Sequence, residues 1–148
     1  MTVVVCNRKV MLSDSRVTVE PISHAYPAVK IVKSKSGWLC GAAGDGGDCS
    51  RFLEWAESDF AKKDEPKWFS AGDSLANGLV VKPDGIYFWT PNEPFERIVS
   101  DHWAVGSGGT AARAAIHCGK TIEEAVEISI LINELTCGGP VQRIELGK

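Results

Sequence analysis

Hydrophobic and polar positions alternate in short blocks from the first residues onward. Residues 2–6 are β-branched almost throughout, Asn7-Arg8 is polar, and residues 9–12 turn apolar again. Two such runs around a polar break predict a β-hairpin. With Asn7-Arg8 as its loop, Cys6 faces Lys9 and the indices of facing residues sum to fifteen, which sets Thr2 opposite Ser13 and beside Asp14. Further strands are expected over residues 29–33 and 38–43, the second running into the glycine-rich Gly41-Ala42-Ala43-Gly44-Asp45-Gly46-Gly47.

After that turn the period changes. Phe52, Trp55, Ala56 and Phe60 recur at helical spacing while Glu54, Glu57 and Asp59 point away, so an amphipathic helix capped by Asp48 is expected to run to about residue 61. Residues 62–67 form a polar loop. Two apolar runs at 79–82 and 86–90 flank Pro83-Asp84-Gly85 and predict a second hairpin, followed by a strand near 103–106. An alanine-rich helix at 110–118 comes next. Thr121-Ile122-Glu123-Glu124 has capping-box spacing and opens another helix, with Ile122, Ala125, Val126, Ser129 and Ile132 on one face. A strand at 141–146 closes the pattern. Strands, one helix, strands, two helices and a strand suit helices covering stacked sheets.

Composition narrows the function classes. A chain of 148 residues, 44% hydrophobic, fits one compact domain over 1–148. A net charge of -3 with scattered Lys and Arg offers no basic field for nucleic acid. No apolar run approaches the roughly 20 residues that cross a bilayer, and no basic segment leads into a signal-like apolar stretch, so a soluble protein of the reducing cytoplasm is expected. The five cysteines (Cys6, Cys40, Cys49, Cys118, Cys137) have no C-x-x-C spacing, and most of them read as small buried apolar residues. His24, His102 and His117 lack metal-ligand spacing, and no cofactor is expected.

Candidate chemistry begins at residue 2. Removing Met1 leaves a threonine that carries both a hydroxyl and a free α-amine, a nucleophile and its base in one residue. Four segments then follow in order: Asp14-Ser15-Arg16-Val17-Thr18, Lys30-Ile31 at a strand start, Cys40-Gly41-Ala42-Ala43-Gly44-Asp45 before a helix, and Val105-Gly106-Ser107-Gly108-Gly109 before an alanine-rich helix that leads to Thr121-Ile122-Glu123-Glu124-Ala125. On this ordered set, spread over most of the chain, the protein resembles the proteasome β-subunits and the bacterial HslV-type peptidase.

The resemblance implies an α+β fold, the four-layer αββα sandwich of the N-terminal nucleophile hydrolase type, here reduced in size because residues 61–79 hold little helical sequence. It implies a threonine-type endopeptidase in which Thr2 Oγ attacks the scissile carbonyl and its own amine shuttles the proton. Asp14 and Lys30 would be the supporting pair, Gly41 would offer its backbone N–H to the oxyanion, and Ser107 would bond the α-amine. It also implies unfolded polypeptide as substrate, a homo-oligomeric ring, and an ATP-dependent unfoldase as partner. The sequence departs from the family near its end: Asp-x-x-Ser-Gly-Gly reads Glu134-Leu135-Thr136-Cys137-Gly138-Gly139, with a longer carboxylate at Glu134 and a thiol at Cys137 in place of a hydroxyl. Two other readings stay open, a catalytically inactive assembly protein of the same fold and an N-terminal nucleophile amidase on a small amide.

Overall fold

The structure, a computed structural model, describes residues 2–19, 24–133 and 136–147; Met1 and Glu134 lie outside the described residues. In chain order the elements are β1 (Val4–Asn7), β2 (Val10–Ser13), β3 (Arg16–Val19), β4 (His24–Pro27), β5 (Ile31–Lys33), β6 (Leu39–Ala43), α1 (Gly46–Trp55), β7 (Asn77–Lys82), β8 (Gly85–Trp89), β9 (Glu96–Ile98), β10 (His102–Val105), α2 (Gly109–His117), α3 (Ile122–Ile132) and β11 (Gln142–Glu145). The sequence pattern missed β3, β4 and β9. These short strands are paired at register positions that no turn signal announces.

The first hairpin forms, in a different register. Asn7 Oδ1 accepts from both Lys9 N and Val10 N at 2.8 Å, which moves the turn to Arg8 and Lys9. Val4 therefore faces Ser13, and Cys6 faces Met11, two residues beyond the expected pairing. A slip of two leaves every side chain on its original face, whereas a slip of one would invert them. Asp14 thus stays by the start of the chain, its N donating to Val3 O at 3.2 Å.

Antiparallel pairing builds one sheet in the order β10-β1-β2-β11 and a second in the order β5-β6-β7-β8-β9, with β3 and β4 as a separate ribbon. Three buried clusters hold these together. Val5 and Leu12 turn from the first sheet toward Ala112 and Ala115 of α2 and Ala125 and Val126 of α3. Val4, Cys6 and Met11 turn the opposite way, onto Ile31, Leu39, Leu79 and Val81 of the second sheet. Cys40, Val80 and Trp89 on that sheet's far face meet Phe52 and Trp55 of α1. β1 is buried on both faces, which explains its unbroken apolar run. Among the described residues no helix is long and apolar enough to cross a membrane.

The helix after the glycine turn is capped by Asp45, not Asp48. Asp45 Oδ1 accepts from Asp48 N at 2.9 Å, satisfying a first-turn N–H. Asp48 is wholly buried and serves a different purpose: its carboxylate takes Phe69 N, Ser70 N at 2.7 Å and Arg51 Nη1 at 2.8 Å, tying the 61–76 segment to α1. Burial alone would push its pKa up, but the bonds from Ser70, Phe69 and Arg51 outweigh it and hold the carboxyl below its usual value. A depressed carboxylate contributes stability that is full above its unfolded pKa and is lost as pH falls through the folded one. Acid titration is accordingly expected to release this segment below about pH 4. In Asp48→Asn that acid-dependent loss is absent, measured by amide exchange at Phe69 and Ser70.

α1 also ends earlier than the pattern suggests. After Trp55 comes a single 3-10 turn (Ala56–Ser58), and Asp59 and Phe60 then adopt left-handed backbone at φ 53 and 60°. Phe60 nonetheless reaches the same aromatic cluster, 5.0 Å from Phe52 and 5.1 Å from Trp55 between ring centroids, so its spacing reported burial correctly and conformation wrongly.

Candidate active site

Thr2 lies just before β1 and is held by its main chain. Its N donates to Ser107 Oγ at 3.3 Å, and its O accepts from Gly108 N at 3.1 Å and from Ser107 Oγ at 3.4 Å. The 106–109 turn can approach so closely because residue 106 has no side chain: at φ +94°, a Cβ there would stand 2.0 Å from Thr2 O. Ser129, buried on α3, donates to Gly108 O at 2.7 Å and fixes the turn from behind. Gly106→Ala is expected to cost about 1–3 kcal/mol and to displace Thr2. A thermal melt and the chemical shift of the Thr2 methyl would report both.

The supporting charges sit one layer deeper. Asp14 is fully buried at the end of β2. Its Oδ1 accepts from Val3 N at 3.1 Å and from Lys30 Nζ at 2.9 Å, and its Oδ2 accepts from Gly138 N at 3.0 Å. Lys30 Nζ also donates to Arg16 O. One carboxylate therefore joins the strand that begins at Thr2, the lysine before β5 and the Cys137-Gly138 turn. With these additional hydrogen bonds, a buried pair of this kind keeps its geometry. Cys137 is buried, with Sγ 3.8 Å from Ser107 Oγ, a distance suited only to a weak thiol bond.

Thr2 and Lys30 open onto a cleft of about 240 Å³ whose walls include Val17, Ala28, Val29, Ala42, Gly44, Cys49 and Leu53. Gly41, expected to face this cleft, does not. A Cβ on Gly41 would lie 2.6 Å from Val4 Cγ1 and 2.9 Å from Met11 Sδ, so the missing side chain serves the close approach of the two sheets. Backbone direction agrees. Ala42 N donates to Lys30 O, and N–H groups alternate sides along an antiparallel strand, so the Gly41 N–H points to β7 instead. Gly44, just past the end of β6, lines the cleft. Gly44 itself has φ +109° and no room for a Cβ, which would fall 2.5 Å from Leu75 O. Gly41→Ala overpacks the core and should cost about 1–3 kcal/mol, read from the denaturation midpoint.

One cleft residue and one neighbour of Lys30 escaped the sequence reading. Cys49 sits in the cleft wall with its thiol pushed up to about 12 by burial and by Asp45 and Asp48 nearby, which makes it a neutral lining group. Gln142 on β11 bonds three groups around Lys30: Ser13 Oγ and Lys30 N on its Oε1, and Ala28 O from its Nε2. A lone strand glutamine carries no motif, and only the fold brings it to the site.

No protein-family model and no curated protein sequence matches the chain. Solved structures do match its shape. The chain superposes on eukaryotic HslV from Trypanosoma brucei with a TM-score of 0.64 at 22% identity, over 97% of this chain and 99% of that one. It superposes on Thiobacillus denitrificans BPH, solved in complex with epoxomicin, with a TM-score of 0.68 at 16% identity over 100% of both chains. The chain has an HslV/proteasome-type fold. Within this proteasome-type fold, Thr2, Asp14, Lys30, Ser107 and Cys137 converge on one end of the sheet pair, Gly44 stands where Gly41 was expected, and Glu134 lies outside the described residues.

Proposed function

We propose that the protein is a threonine-type endopeptidase subunit whose nucleophile is Thr2 after removal of Met1, built on a reduced four-layer αββα sandwich. The carrying observation is that Thr2, bonded to Ser107 at 3.3 Å, and Lys30, paired with Asp14 at 2.9 Å, line one cleft. In this reading the Thr2 amine takes the proton from its own Oγ as Oγ attacks the scissile carbonyl, and Ser107 Oγ orients that amine. The Lys30 ammonium favours the alkoxide-like state of Oγ, and Asp14 keeps the ammonium aimed. The Gly44 N–H donates to the tetrahedral oxyanion. The amine then passes its proton to the leaving amide nitrogen, and water attacks the resulting ester to free Thr2.

The likeness in fold to HslV suits a homo-oligomeric ring acting on unfolded polypeptide, and an ATP-dependent unfoldase that feeds it belongs to this reading by analogy alone. No resident cofactor or metal enters this chemistry. A second reading, an inactive assembly protein, is favoured by one contact: Cys137 gives Ser107 a 3.8 Å thiol partner, a weaker support for the amine than a hydroxyl. The experiment is a panel of fluorogenic peptides and small amides with sedimentation analysis. Peptide cleavage by a ring supports the proposal; a ring that cleaves nothing supports the assembly reading; cleavage of small amides alone supports the amidase.

A further inference from the structure

We propose that Gln142 is a positioning residue for this site: its amide sets both the lysine that supports Thr2 and the cleft wall that receives the substrate. The proposal rests on the peptidase reading above and adds a residue no motif marks.

Residues 28–30 form the bridge from the β3–β4 ribbon to β5, and all three line the Thr2 cleft. Four main-chain groups of the bridge have hydrogen bonds that hold it in place. Ala28 N donates to Ser15 O at 2.8 Å, and Ala42 N donates to Lys30 O at 3.3 Å. The two remaining groups both meet Gln142: its Nε2 donates to Ala28 O at 2.6 Å and its Oε1 accepts from Lys30 N at 3.0 Å. Backbone bonds secure the outer ends of this short segment, and one side chain secures Ala28 O and Lys30 N between them. That side chain belongs to the other sheet. Gln142 pairs with Ser13 across β2 and β11, and Ser13 Oγ donates to the same Oε1 at 3.3 Å, one residue from Asp14. Through Gln142 the strand that presents Asp14 and the segment that presents Lys30 share one fixed point.

The amide is suited to this because it offers an acceptor and a donor on one rigid plane. The two ends do different things. The acceptor fixes the Lys30 main chain, on which the Asp14–Lys30 geometry depends; the donor fixes the Ala28 carbonyl, part of the wall that substrate meets. Substitutions therefore split the kinetics. Gln142→Glu keeps an acceptor for Lys30 N and loses the donor, setting a carboxylate against the Ala28 carbonyl. KM is expected to rise roughly tenfold with kcat changed less than about twofold. Gln142→Ala loses both ends, so kcat falls about tenfold as well, and Gln142→Asn, one methylene short, cannot span the two groups and fails to restore it. In Q142E the introduced carboxyl regains an O–H donor when protonated, so its KM defect shrinks as pH falls toward roughly 4–5.

The test is steady-state hydrolysis of a fluorogenic peptide by the full chain and these three variants across pH, normalised to active sites titrated with a Thr2-directed electrophile. Amide exchange at Lys30 is followed in parallel. The KM-against-kcat split and the acid rescue of Q142E support the proposal. Three variants with unchanged KM and kcat per active site, differing only in melting temperature, overturn it. If wild-type turnover proves independent of Thr2, the peptidase reading fails instead. The exchange data then decide on Gln142 alone, because faster Lys30 exchange in Q142A but not in Q142E is required, and equal exchange in all variants overturns the positioning role.

Discussion

Replacing Thr2 with Ala removes peptide hydrolysis, a fall of roughly a thousandfold or more, since the variant loses the attacking oxygen and leaves only binding and oxyanion donation. The fold should survive the change. Thr2 is anchored through its N to Ser107 and its O to Gly108, and both groups remain in the variant. Thr2→Ser keeps a hydroxyl and an amine and should retain measurable turnover. Circular dichroism and the melting temperature set beside initial rates separate the two effects. A Thr2→Ala protein that cleaves as fast as wild type would place the chemistry elsewhere.

The second large effect falls on the buried pair. Asp14 is wholly buried and Lys30 is 6% exposed, so neither charge can turn to water when its partner is removed. Lys30→Ala should lower stability by about 3–5 kcal/mol and bring turnover down with it. Because the fold itself is strained by that variant, Lys30→Arg is the sharper probe. Arg keeps a positive charge for Asp14 and much of the stability, but its longer, forked head cannot meet Asp14 and the Arg16 carbonyl as a compact ammonium does. Urea denaturation with peptide hydrolysis should therefore show a nearly native midpoint and little activity. Native turnover in Lys30→Arg would demote Lys30 to a structural ion.

How much of this was legible in the sequence depends on the range over which each residue acts. Elements whose signals are local came through: the capping box is formed, Thr121 Oγ1 accepting from Glu124 N at 3.1 Å and Glu124 answering to Thr121 N at 3.2 Å. The Pro83-Asp84 turn joins β7 to β8 with Lys82 facing Gly85. The neighbourhood of Thr2, Asp14, Lys30 and Ser107 was readable from the ordered motifs. Errors arose where two candidates of one type lay close together. Asp45 caps the helix and Asp48 lies in its first turn, and only the N–H groups of Phe69 and Ser70 explain why the second turns inward. Gly41 lies within β6 and Gly44 just after it, and strand alternation, not composition, sends the Gly41 N–H toward β7. Gln142 was invisible because its partners are 112 and 114 residues away in sequence at Lys30 and Ala28.

The central claim is that Thr2 carries a free α-amine and reacts through its own hydroxyl. The most direct measurement is mass spectrometry of the purified protein before and after a peptide electrophile, with the adduct mapped to a residue. Loss of Met1 and one equivalent of label on Thr2, in proportion to lost hydrolysis, is the predicted result. Hydrolysis that persists with Met1 in place, or with Thr2 unlabelled at full inhibition, would contradict it.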